Sequence, residues 1–147
     1  MKTYNLLEHM AYKADILRGI NEELEKILKK EDKKIAGKTK KFIKKQVEIL
    51  TGVRGEIIDP NASIYSSEKL QGETITIYSS MLAYGGRPSQ SQLTYVKTLE
   101  TRLVKVEKRF NDFIDKNLPQ VNKRLAALKI AEIKIISEEE YQKELEK

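Results

Sequence analysis

The sequence predicts an all-α protein: an antiparallel four-helix bundle of up-down order, followed by a short extended segment and a last helix. Three observations predict it. Leu, Ile, Val and Phe recur in steps of three and four over long windows. Only 3 Pro and 7 Gly interrupt the 147 residues. Charged residues reach 34% beside 39% hydrophobic, a balance that suits long helices burying one stripe each. The length provides for one domain with one core.

The first helix is expected from about Tyr4 to Lys29, with Leu6, Met10, Leu17, Ile20, Leu24 and Ile27 inward. "KKEDKK" is then a tight polar connection, and one so short forces antiparallel neighbours. The second helix is expected from about Asp32 to Arg54, with Ile35, Phe42, Ile49 and Val53 inward, Thr39 and Gln46 completing the series, and Gly55 as a left-handed cap. "EIIDPNASIYSS" contains the turn chemistry of Asp59-Pro60-Asn61. Its Ile57, Ile58, Ile64 and Tyr65 suggest packing along the bundle.

"TITIY" (74–78) alternates like a strand. Over a longer window Leu70, Thr74, Ile77, Met81 and Tyr84 keep helical steps, so a third helix is expected from about Ser67 to Tyr84, weakened at Gly72. "YGGRPSQSQL" (84–93) then turns the chain. Gly85 or Gly86 caps the third helix, Pro88 prevents its continuation, and Ser89 with Gln92 forms a Ser-x-x-Gln capping box. It lacks the Gly-x-x-x-x-Gly-Lys pattern of a phosphate loop.

The fourth helix carries Leu93, Val96, Leu99, Leu103, Val106, Phe110 and Phe113. The stripe passes Pro119 to Val121, Leu125 and Leu128. Proline removes one backbone bond, so the helix is expected to kink near Asn117 or restart at Pro119. "AEIKII" reads as extended. Ser137, with Glu140 three positions on, opens a short final helix.

Function classes narrow by exclusion. There is no Cys, which removes disulfides, Cys-ligated zinc and thiol chemistry. No run approaches the ~18 apolar residues of a membrane span. "MKTYNLLEHMAYKADIL" has charges inside its apolar region and is not a signal peptide. His9 is the only histidine; with no partner acid fixed beside it in sequence, it reads as a surface or packing residue. No metal site, cofactor or catalytic residue is expected. The acidic pairs Glu22-Glu23 and Glu138–Glu140 read as a helix surface and a helix N-terminus.

The strongest signal outside the core is "KKEDKKIAGKTKKFIKK". On a helix Lys34, Lys38, Lys41 and Lys45 form a ridge that suits phosphates or an acidic partner. The competing reading is that their stems cover apolar surface while their heads stay in water. Stacking aromatics, which nucleic-acid modules usually add, are missing beside them.

"IYSSMLAYGGRPSQSQLTYVKTLETRLVKVEKRFNDFIDKNLPQVNKRL" carries a resemblance in Tyr78-Ser79, Arg87-Pro88-Ser89, Gln92, the Leu99/Leu103 stripe and Leu118-Pro119 followed by Asn122. It resembles the C-terminal helical module of bacterial sortilin-like, BNR-repeat β-propeller proteins, often classed with glycosyl hydrolases. The resemblance covers roughly Ile77 to Leu125. It implies a non-catalytic structural or interaction module at the end of a longer, exported protein. Any sugar chemistry would belong to the propeller, whose Ser-x-Asp-x-Gly-x-Thr-Trp boxes have no counterpart here. The partners it implies are the upstream propeller or another protein, a second copy of the chain included. The alternative is a free-standing basic bundle that binds nucleic acid or an acidic protein.

Overall fold

The computed structural model describes residues 2–31, 33–58, 69–83 and 87–145. Its elements are α1 (Lys2–Lys30), α2 (Gly37–Ile57), α3 (Leu70–Ala83), α4 (Gln90–Asp112), a π-helical turn (Phe113–Asn117), α5 (Leu118–Ala127) and α6 (Glu138–Leu145). Among the described residues there is no strand. The protein is an all-helical bundle, and "TITIY" is helical. Thr74 is fully buried there because its hydroxyl donates to the Leu70 carbonyl at 2.8 Å; Thr76 does the same to Gly72 at 3.0 Å. Each threonine thus bonds the preceding turn of its own helix.

Cross-contacts give the helix directions. Leu17 and Asn21 of α1 share a cleft with Leu50 and Arg54 of α2, as an antiparallel hairpin requires. Going down α2, Glu56 pairs with Arg109, Gln46 with Asn117, and Phe42 with Arg124. So α2 runs against α4 and α5. Glu73 pairs with Arg102, and Ser80 bonds Gln92, so α3 also runs against α4. Therefore α2 and α3 run in the same sense, one after the other along the rod made by α4, the π turn and α5, with α1 alongside. That rod spans residues 90–127, about 57 Å at 1.5 Å per residue. The expected bundle class stands, while the strict alternation of directions gives way. Glu56 and Leu70 line one hollow, so the chain between α2 and α3 leaves and returns at the same level. A connection of this length imposes no reversal.

The core draws on every long helix. Met10, Leu17, Ile20, Leu24 and Ile27 are buried as expected, and so are Val96, Leu99, Leu103, Val106, Phe110 and Phe113. Leu93 is 44% exposed and does not belong to the stripe. In α2 the buried residues are Ile43, Gln46, Leu50, Val53 and Ile57; Phe42 and Ile49 are half-buried. Gln46 and Val53 are thus inward as expected, while Ile43 and Leu50 take the places given to Phe42 and Ile49. Tyr12, Ala14 and Ile16 are buried in addition, because α1 is covered from two sides. The α2, α3 and α4 helices pack along it, and the C-terminal tail covers it as well.

Several boundaries differ from expectation. Two backbone amides, those of Lys34 and Ile35, bond the Glu31 carbonyl, and Ile35 is buried. A turn therefore occupies the place given to the first residues of the second helix, and α2 begins at Gly37. Gly55 lies inside α2, which continues to Ile57 and ends on extended Ile58 (φ −142°). The α-helix gives way to the π turn before Pro119 and resumes as α5 at Leu118 with Pro119 in its first turn, within one residue of the expected restart. Asn117 and Leu118 keep right-handed helical dihedrals, and the Leu118 amide bonds the Phe113 carbonyl. One widened turn absorbs the bond that proline cannot make. The capping box at Ser89 forms in both directions. The expected caps at Gly85 or Gly86, and the packing of Ile64 and Tyr65, lie outside the described residues.

After α5 the chain reverses at Lys129 (φ 60°). The Ile130 amide bonds Leu125 and the Lys129 amide bonds Ala126, the paired bonds that close a helix on a left-handed residue. That position favours glycine. Lys129→Gly should raise stability by about 0.5–1 kcal/mol, read from the urea midpoint.

Candidate interaction surface at the basic end of the bundle

Between positions 29 and 45 the chain carries Lys29, Lys30, Lys33, Lys34, Lys38, Lys40, Lys41, Lys44 and Lys45 against Glu31 and Asp32. Nine positive against two negative charges give a net +7, while the whole chain nets +6. The rest of the chain is therefore close to neutral. The fold gathers this run at one end, where α1 finishes and α2 starts. The Arg124 guanidinium of α5 joins it, stacked 4.1 Å from the Phe42 ring centroid.

The expected ridge is only partly assembled. Lys38, Lys41 and Lys45 are exposed on α2 at helical steps of three and four. No ion pair to them is found among the described residues. Lys34 is in the connection before α2 and pairs with Glu31 at 3.6 Å. Glu23, close in sequence to this end, is held within α1 by Lys26 at 3.7 Å.

The start of α2 breaks the ordinary chemistry of a helix N-terminus. Its N-cap is Ala36, with no side-chain bond, and its first turn contains no acid. Lysines occupy that turn although the helix dipole is already positive there. Sequences usually break such local rules where a site requires it. Ala36→Asp, which supplies a cap and a negative charge, should stabilise the protein by about 1 kcal/mol on thermal denaturation.

The other polar clusters hold the structure together. His9 Nδ1 meets Glu138 Oε1 at 2.6 Å, the Tyr12 hydroxyl donates to the Ile136 carbonyl at 2.7 Å, and the Tyr141 hydroxyl donates to Asp15 at 2.5 Å. Tyr141 also packs edge-on against Tyr12. With Asn122 bonded both to the amide and to the carbonyl of Ile133, these contacts strap the tail across α1. Sequence separations of more than 120 residues hide the His9, Tyr12 and Tyr141 bonds from any local motif. Among the described residues no group of three or more His, Cys, Asp or Glu is placed to hold a metal ion. No helix there is long and apolar enough to cross a membrane.

The strap titrates. Hydrogen bonding to Asp15, then burial, pushes the Tyr141 phenol up to about 12. Burial, then the charge of Glu138, raises Tyr12. A raised phenol favours the neutral, folded form. The strap's contribution is therefore complete below the ordinary value of 10.0 and fades as pH rises through about 12. Phenolate absorbance should show late titration of these tyrosines, and Tyr141→Phe should flatten the loss of stability over that interval.

No family model, curated protein or solved structure matches the chain.

Proposed function

We propose that this chain is a non-catalytic interaction module whose basic end docks on an acidic protein surface. One observation carries the reading: the protein's whole net positive charge is concentrated around the uncapped start of α2. Such a concentration costs helix stability and gains an electrostatic footprint. An acidic protein surface is preferred over nucleic acid because the aromatic ring at this end, Phe42, is half-buried and covered by Arg124. It offers no platform for a base. Placement of the module behind an exported β-propeller rests on the resemblance alone; a stop codon immediately before Met1 would remove it.

The test is binding of the full chain to poly-glutamate and to duplex DNA across a salt series. Poly-glutamate should bind at low salt and weaken as salt rises, because each lysine contact releases counterions. The triple variant Lys38→Gln/Lys41→Gln/Lys45→Gln should lose most of that binding and keep its helicity. No binding of either polymer at low salt sinks the proposal. Tighter, variant-sensitive binding of DNA moves the partner to nucleic acid.

A further inference from the structure

Near the opposite end of α2 from the lysines, α1 and α2 enclose a cleft of about 110 Å³ lined by Leu17, Asn21, Leu50, Arg54 and Ile58, with Thr51 and Gly55. Asn21 Oδ1 and Arg54 Nε are shut off from solvent, and neither has a hydrogen-bond partner. Among the described residues no carboxylate pairs with Arg54. Buried polar atoms are rarely left in this state.

Water alone satisfies the cleft poorly. Its share of liquid volume is about 30 Å³, and each buried water needs two or more polar partners. The cleft has room for more than one, yet Leu17, Leu50 and Ile58 form much of its wall. A guest with one polar head and a short apolar body suits such a lining. Charge sets the head. The natural complement of a guanidinium is a carboxylate. Asn21 makes no other hydrogen bond among the described residues, so its amide can turn to present Nδ2–H instead of Oδ1.

We propose that the cleft between α1 and α2 binds a short-chain carboxylate, acetate to butyrate in size. The carboxylate lies against the Arg54 guanidinium and the Asn21 amide, while the carbon chain rests on Leu17, Leu50 and Ile58.

The test follows the side-chain N–H resonances of the full chain as acetate, propionate and butyrate are added at constant ionic strength, with chloride as control. Saturable shifts are expected at Arg54 and Asn21, with affinity rising along the series. Arg54→Met and Asn21→Leu should each weaken binding by about tenfold, whereas Lys41→Gln/Lys45→Gln should leave it unchanged. Neither cleft side chain makes a hydrogen bond on which the fold depends, and an unaltered spectrum away from the cleft verifies folding. Shifts that never saturate, an equal response to chloride, or undiminished binding by Arg54→Met overturn the proposal and leave water as the occupant.

Discussion

Phe110→Ala is expected to lower stability by about 3–5 kcal/mol, measured by urea denaturation. The ring is 5% exposed at the C-terminal end of the α4 stripe. Truncation removes apolar burial and leaves a space that rigid helices on either side cannot fill. Two specific contacts vanish as well. Tyr12 meets the ring edge-on, with centroids 6.1 Å apart, and Lys13 Nζ lies 5.6 Å from its centre. Such aromatic and cationic contacts each add about 0.5–1 kcal/mol beyond area. Phe110→Leu keeps most of the volume and should cost roughly half as much. Equal losses in the two variants would mean that ring contacts, and not cavity formation, dominate here.

Glu107→Ala is expected to cost about 2 kcal/mol, although no apolar volume is lost. Its carboxylate is 3.5 Å from the ammonium of Lys13, whose side chain is only 9% exposed. Removing the acid strands that cation between Phe110 and α1. Because Glu107 is itself 34% exposed, solvent moderates the penalty below that of a fully enclosed pair. Lys13→Met should be close to neutral, and in the Lys13→Met background Glu107→Ala should lose nearly all of its effect. A double-mutant cycle reads that difference directly. Additive losses would show that the ammonium finds water without its partner.

Lys13 of that pair bears on how far the fold was legible in the sequence. The α4 stripe could be read almost completely because one face of the helix is buried and the other is wet. The α2 face was harder. Lysine stems and Phe42 blur the boundary between inside and outside, and the inward row proved to be Ile43, Gln46 and Leu50. Lys13 and Tyr12 gave no warning of burial, since nothing local shows that a second layer covers α1. Helix directions depended on what a long connection does, and residue spacing does not contain that information. The lysine run was visible, but its relation to an uncapped helix start required the observed boundary at Gly37. Asn21 and Arg54 meet only through the register of the α1/α2 hairpin, and no motif links them.

The strap across α1 sets an order of events during synthesis. Tyr12 leaves the ribosome 124 residues ahead of Ile136, which together with Tyr141 helps to cover the face of α1 that carries Tyr12 and Ile16. A nascent chain therefore carries an oily flank on α1 until the tail has emerged. Chaperone engagement of the growing chain should persist to that point and end abruptly once the tail docks.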